Sequence, residues 1–256
     1  MTGSTKMIRA AVFDLDGTLL DTTPVIGELL SGVLIELGRP RSRADIDRTI
    51  GQPLESSVAG LLGTDVLDPL TTTAVARYRE RFGERVSARG PDLLFPGVPE
   101  GLAALAGAGI SCALVTSKHG RAAGALLAAT GLASHFPVTV TDNMVAHGKP
   151  HPESAERAAD ALGVPAAECA CVGDAVTDMM MAVAAGMIPV GVGYGAATPA
   201  ELAAAGAATV ARSFSDVTAF LLDDTDDTDD TDGRDRTAGR NGRNGTDGRP
   251  VREAGR

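Results

Sequence analysis

Short, almost wholly apolar runs alternate with helical patterns along most of this chain, and that alternation limits the folds open to it more than any other feature. Six runs read as strands, at residues 8–13, 110–116, 138–141, 169–172, 188–192 and 208–211. Helical patterns lie between them at 99–108, 122–129, 152–162, 178–185 and 199–205. Gly107, Gly131, Gly163, Gly186 and Gly206 stand at or near the ends of these patterns, as stop signals do. Strands that are apolar on both faces and separated by helices predict an α/β fold: a doubly wound parallel sheet covered by helices on each side.

One block breaks the rhythm. Residues 22–90 hold no convincing strand and read as helices. Val25, Ile26, Leu29, Leu30, Val33, Leu34 and Leu37 recur at helical spacing until Gly38-Arg39-Pro40 ends the run. Further helical patterns follow at 43–50, 55–62 and 69–82. The block enters directly after the first strand, between Gly17 and Thr18 on one side and Pro91, Pro96 and Gly97 on the other. It is therefore expected to be an inserted helical cap, able to pivot on two linkers. The expected organisation is a core of 1–21 and 91–222, a cap of 22–90 and a low-complexity tail of 223–256. In the tail Asp-Asp-Thr recurs from Asp223 to Thr231, and Val251 is the only large aliphatic residue. Such a segment cannot bury enough apolar area to offset the entropy of ordering it, so disorder is expected. A cation-binding aspartate repeat is the other reading, but the glycine spacing of a calcium loop is missing.

Composition narrows the partners. The net charge is −10, and the tail contributes 10 acids against 7 arginines, so the body is acidic in its own right. That argues against nucleic acid as the main partner, because phosphate backbones are bound by basic patches. A small phosphorylated metabolite remains open, since a metal and one lysine can meet its charge. No apolar run approaches the ~18–20 residues of a membrane span, and the N-terminus lacks the apolar region of a signal peptide. The expectation is a cytoplasmic protein, monomer or homodimer, with no membrane partner. Cys112, Cys169 and Cys171 form no secreted-type framework. Cys169-Ala-Cys171 resembles half a metal site, but buried thiols acting as small hydrophobes fit its apolar run better.

Four motifs carry candidate chemistry. Asp14 and Asp16 leave the end of the first strand in Val12-Phe13-Asp14-Leu15-Asp16-Gly17-Thr18. In an extended strand both side chains share one face, ~7 Å apart; Asp-Gly is equally a turn signal. Thr116 and Ser117 close the second core strand, where a hydroxyl followed by backbone amides suits a phosphate oxygen or, equally, caps the next helix. Lys149 is pinned in Gly148-Lys149-Pro150-His151-Pro152, in a chain whose only other lysines are Lys6 and Lys118. Its compact ammonium could screen an aspartate from an incoming phosphate, or it could be a solvated turn residue. Gly173-Asp174 ends another strand, and Asp178 follows one helical turn later. Asp14, Asp174 and the Asp16 region offer oxygen ligands of the kind magnesium takes, with helix capping as the alternative for Asp174 and Asp178. The histidines add little here: His119 and His151 neighbour the phosphate motifs, and His135 and His147 flank loops.

Taken in order, Asp-x-Asp-Gly-Thr, Thr, Lys-Pro and Gly-Asp-x-x-x-Asp resemble the four motifs of the haloacid dehalogenase-like hydrolase superfamily, over about residues 7–222. The resemblance implies a Rossmann-like core and a magnesium-dependent phosphatase. It implies Asp14 as nucleophile and Asp16 as general acid/base, and Thr116, Ser117 and Lys149 as phosphoryl-binding groups. It also implies Asp14, Asp16 and Asp174 at the metal, with Asp178 in support. Superfamily dehalogenases lack the second aspartate, present here as Asp16, and phosphonate-cleaving relatives use a cap lysine, of which 22–90 has none. Sugar-phosphate mutases carry an Arg- and Ser-containing cap loop where this chain has Gly51-Gln52-Pro53-Leu54-Glu55-Ser56-Ser57. That loop, with Arg77-Tyr78-Arg79-Glu80-Arg81-Phe82 and Leu94-Phe95-Pro96-Gly97-Val98, is similar to the phosphoglycolate phosphatase branch. Members of that branch also act on pyrophosphate, nucleotides or sugar phosphates. A receiver-type signalling domain also has an acidic pocket with Thr/Ser and Lys, but it is shorter, lacks a cap and carries its aspartate on a later strand.

Deleting residues 223–256 is expected to leave folding and turnover of small substrates nearly unchanged. A fall in Tm of more than several degrees would show that the tail docks on the body.

Overall fold

Each apolar run becomes a strand. The computed structural model describes residues 8–223, so the expected tail, apart from Asp223, lies outside the described residues. The strands are β1 (Ala10–Phe13), β2 (Ser111–Thr116), β3 (Val138–Thr141), β4 (Cys169–Gly173), β5 (Ile188–Val192) and β6 (Thr209–Ala211). They form one sheet in the order β3-β2-β1-β4-β5-β6, and every neighbouring pair is parallel.

Side chains alternate across this sheet and build a core on each face. Ala11, Phe13, Leu114 and Val172 share one apolar cluster with α5 (Val98–Gly107), α6 (Gly120–Thr130) and α10 (Phe214–Leu222). Ala10, Val12, Ala113, Val115 and Cys171 face the other, with α7 (Glu153–Leu162) and α8 (Val176–Ala184). Burial on both sides is why the strands read as continuous apolar runs rather than alternating ones. In a chain with few aromatics, three of its phenylalanines meet: Phe13 lies 6.2 Å from Phe136 and 5.9 Å from Phe214 between ring centroids. The cysteines Cys112, Cys169 and Cys171 are buried and unpaired, as small hydrophobes would be.

Parallel register also aligns the strand ends. Phe13 pairs with Leu114 on one side and Val172 on the other, so Asp14, the end of β2 and Asp174 leave the sheet together. The order reverses about β1, and such a switch point leaves a crevice beyond the carboxyl ends of the strands.

The helical block comprises α1 (Thr23–Glu36), α2 (Arg43–Asp47), α3 (Leu54–Leu62) and α4 (Pro69–Arg89), and α9 (Pro199–Ala204) completes the set. It forms one compact unit with the sheet. Leu29, Leu30, Val33 and Leu34 of α1 and Val75, Tyr78 and Phe82 of α4 belong to the same apolar cluster as Phe13 and Leu114 of the sheet. Outside, Glu36 pairs with Arg77 and Arg81, and Glu28 with Arg85. These are exposed ion pairs, worth ~0–1 kcal/mol each.

Two helix boundaries depart from the sequence expectation: the helix expected over 43–50 ends at Asp47, and α4 runs further than expected. The helix expected over 69–82 continues to Arg89, through Gly83. Packing of Val86 into the core carries the helix past a residue that ordinarily weakens one. A Cβ built on Gly83 meets no atom within 4 Å. Gly83→Ala is therefore expected to raise stability by about 0.5–1 kcal/mol, read as a higher denaturant midpoint with unchanged m.

Candidate active site

The crevice at the switch point holds the charged residues that the motifs single out. Asp14 is the first residue after β1, and its N–H is bonded to Val172 O at 2.9 Å, which clamps it to β4. Its Oδ1 accepts from Lys149 Nζ at 2.5 Å. Lys149 also approaches Asp178 Oδ1 at 2.7 Å, and its side chain is only 4% exposed. It is thus no solvated turn lysine.

Asp174 follows β4. Its Oδ1 accepts from the Thr18 hydroxyl at 3.2 Å and its Oδ2 from Ala196 N–H at 2.7 Å. Neither bond caps a helix. Asp178 caps a helix, with Oδ2 taking the Ala175 N–H at the start of α8 at 3.0 Å, while Oδ1 faces Lys149. That approach is an ion pair rather than an aligned hydrogen bond, so Oδ1 stays buried without a hydrogen-bond donor.

Glycines make room for this crowding. A Cβ on Gly17 or on Gly195 would overlap the Asp174 side chain, and one on Gly173 would overlap Asp178. Gly17 also has φ of +81°, which side-chain-bearing residues rarely adopt.

Asp16 sits apart. The chain bends at Leu15, and Asp16 forms a bridge with Leu20 instead of continuing the strand. The extended geometry expected for the two aspartates is therefore replaced by a turn. The Asp16 carboxylate accepts from the Thr22 hydroxyl and lies 3.1 Å from Lys118 Nζ. Lys118 in turn stands 4.3 Å above the centre of the Phe82 ring of α4.

Thr116 is buried at the end of β2, and its Oγ1 accepts from Lys118 N–H at 3.2 Å. The cap of α6 is His119 instead, through Nδ1. Asp14, Asp16, Thr116, Ser117 and Lys118 line the floor of a cleft of about 1000 Å³, roofed by Leu54, Tyr78, Phe82 and other residues of α1–α4 and their loops.

Burial dominates the electrostatics. It pushes the Asp14 carboxyl up to about 7, with Lys149 opposing and Asp178 and Asp16 reinforcing the rise. Asp174 is likewise raised, by burial first and then by Asp14 and Asp178. For Lys149 burial acts against the ammonium, but Asp14 and Asp178 more than reverse it. Oxygens of Asp14, Asp174 and Asp178 lie within 4.8 Å of one another, and the Asp16 carboxylate is outside that group. Three carboxylates face one lysine, all donors are hard oxygens, and one buried oxygen lacks a donor. That set fits a divalent cation of the magnesium type.

Sequence reading brought together Asp14, Lys149, Asp174 and Asp178, and placed Asp16, Thr116 and Ser117 on the cleft. It missed Lys118, Phe82 and the Tyr194–Ala197 turn. In that turn Ala196 N–H binds Asp174 and Tyr194 OH donates to Thr18 O at 2.9 Å. Gly191-Val192-Gly193-Tyr194-Gly195 at a strand end was the available signal.

Raised carboxyl groups give the metal-free fold a pH dependence. Asp14 binds its proton more tightly folded than unfolded, so its contribution is full below 3.8 and is lost as pH climbs toward about 7. Magnesium competes with those protons. Its addition is expected to raise Tm little at about pH 5 and progressively more toward about pH 8. An equal rise at both ends would place the ion elsewhere.

Known proteins resemble this chain in sequence and fold. Residues 8–186 match the haloacid dehalogenase-like hydrolase family. The chain is 44% identical over 207 residues to the probable phosphatase IndB of Dickeya dadantii, covering 80% of this chain and 90% of that one. It is 37% identical over 215 residues to a plasmid-borne phosphoglycolate phosphatase of Cupriavidus necator, covering 83% and 92%. Among solved structures, a hydrolase from Pseudomonas syringae superposes with a TM-score of 0.70 at 28% identity, covering 79% of this chain and 92% of that one. The chain belongs to the haloacid dehalogenase-like hydrolase family, in its phosphoglycolate phosphatase-like branch, and is a phosphatase.

Proposed function

We propose that the chain hydrolyses small phosphate monoesters of the phosphoglycolate type, with magnesium, through an aspartyl-phosphate on Asp14. The observation that supports this most directly is the Asp14 carboxylate at the tip of β1, held by Lys149 at 2.5 Å beside a cleft roofed by helices. Asp14 and Asp174, with Asp178 beside them, would hold the ion. When bound, it supplies positive charge that ionises Asp14 and offsets the charge of the phosphoryl oxygens.

The protein groups divide the remaining work. Lys149 screens the repulsion between Asp14 and the incoming phosphoryl group, and Thr116 and Ser117 offer hydroxyl and amide donors to its oxygens. Asp14 attacks phosphorus in line, the ester P–O bond breaks, and the leaving oxygen takes a proton from Asp16. Water then attacks the acyl phosphate, Asp16 takes its proton, and phosphate departs with Asp14 regenerated. The helical roof excludes bulk water and selects the leaving group. Phosphate release from p-nitrophenyl phosphate tests the activity. A panel of phosphoglycolate, pyrophosphate, sugar phosphates and nucleotides tests the substrate class.

The two aspartates separate the steps. Asp14→Asn is expected to abolish turnover and phosphoenzyme formation. Asp16→Asn should slow reactions of poor leaving groups by ~10²–10⁴. With p-nitrophenolate, which needs little protonation, the defect shifts to the second step. Asp16→Asn should then trap phosphate on the peptide carrying Asp14, seen by mass spectrometry. An adduct on Asp174 or Asp178 would put the chemistry on the wrong strand.

A further inference from the structure

A second group of ligating side chains lies on the surface, outside the aspartate cluster and unused by the reaction above. His147, His151 and Glu153 bring ring nitrogens and a carboxylate oxygen within 4.8 Å of one another. The two imidazole rings are 4.7 Å apart between centroids and inclined by 34°. From this convergence we propose that His147, His151 and Glu153 form a binding site for a borderline transition-metal ion such as zinc.

Three observations carry the assignment. First, the donors have the right chemistry. Two imidazoles and one carboxylate suit zinc, nickel or cobalt, whereas magnesium and calcium prefer oxygen alone. The chain thus presents two cation sites of different character: the oxygen-only cluster around Asp14 and this nitrogen-rich one.

Second, the carboxylate is already fixed. Glu153 is the first residue of α7, and its two oxygens accept the N–H groups of Ala146 at 2.9 Å and His147 at 3.0 Å. Backbone bonds of this kind orient a metal ligand and hold its remaining lone pairs toward the site. His147 Nδ1 already lies 3.3 Å from Glu153 Oε2, so little rearrangement is needed to place an ion between imidazole and carboxylate.

Third, little is lost on binding. Among the described residues, the only other polar contact of these side chains is a long bond from Glu153 N–H to His151 Nδ1, at 3.3 Å. Ligation through Nδ1 replaces it, and that N–H stands at a helix start, where donors can turn to water. His147 and His151 are exposed, so the ion reaches the site from solvent and completes its coordination with water.

The position gives the site a consequence. His147 and His151 each stand two residues from Lys149, one before it and one after. An ion joining them to α7 closes a ring around the segment whose lysine reaches Asp14 and Asp178.

The test uses the full chain, stripped with chelator and then saturated with magnesium to fill the aspartate cluster. Zinc is titrated calorimetrically, and cobalt is added separately for its visible absorption. The wild type is expected to bind one zinc ion more than the His147→Ala/His151→Ala double variant. Glu153→Gln should weaken zinc binding by about tenfold or more. Cobalt should give an intense visible band in the wild type, absent from the double variant. The double variant should keep its metal-free Tm and its magnesium-dependent turnover, which shows that the lost ion does not reflect a lost fold. Equal zinc binding by wild type and double variant, or a cobalt spectrum unchanged by the substitutions, would overturn the site.

Discussion

Much of this structure follows from a charge imbalance that water cannot relieve. Asp14, Asp174 and Asp178 converge at one point, and among the described residues Lys149 is the single cation paired with them. Each carboxylate loses hydration on burial and feels its neighbours, which is why the Asp14 and Asp174 carboxyls are raised. Removing Lys149 would leave several uncompensated buried charges, a far larger penalty than the loss of one surface ion pair. A cation that binds such a cluster stabilises the fold that holds it.

The scaffold that holds these charges is a consequence of apolar burial. Both faces of the sheet are covered, so the register of each strand is fixed by two cores at once. Register in turn sets which residue emerges first from each strand, and β1 and β4 release Asp14 and Asp174 side by side. A slip of one residue in either strand would move its aspartate and turn its core residues to the wrong face. Phe13 is fully buried between Phe136 and Phe214, directly before the nucleophile candidate, which ties the position of Asp14 to the apolar core.

Most of this was legible in the sequence because the signals were periodic or paired. Continuous apolar runs located all six strands to within about two residues, the usual margin for element ends. Acids at strand ends located the cluster. The features that escaped are those that depend on contacts distant in sequence. The helical pattern reads as ending at residue 82, since nothing local announces that Val86 will be buried. Asp16 looked like the partner of Asp14 on one strand face, but Gly17 and the bridge to Leu20 turn it toward Thr22 and Lys118. The turn that binds Asp174 comes from a different strand, and only the fold brings Ala196 to it.

Lys118 shows how the helical roof and the sheet are joined at the chemistry itself. Its ammonium is shared between the Asp16 carboxylate and the face of Phe82, and Phe82 stacks on Tyr78 at 5.5 Å within α4. A cation–π contact of this kind is worth about 0.5–2 kcal/mol, less than a buried ion pair and comparable with an exposed one. It is one contact among the many that hold α4, whose Val75, Tyr78, Phe82 and Val86 are buried, and any change in that packing changes what surrounds Lys118. On the proposed reading Asp16 must hand a proton to the leaving group and later take one from water, so the charge beside it matters in both steps. A roof that moves one ring over one lysine therefore alters the surroundings of the acid/base residue while leaving Asp14, anchored to β4 and Lys149, in place. On that reading, Lys118 links the helical roof to the acid/base residue through a single side chain.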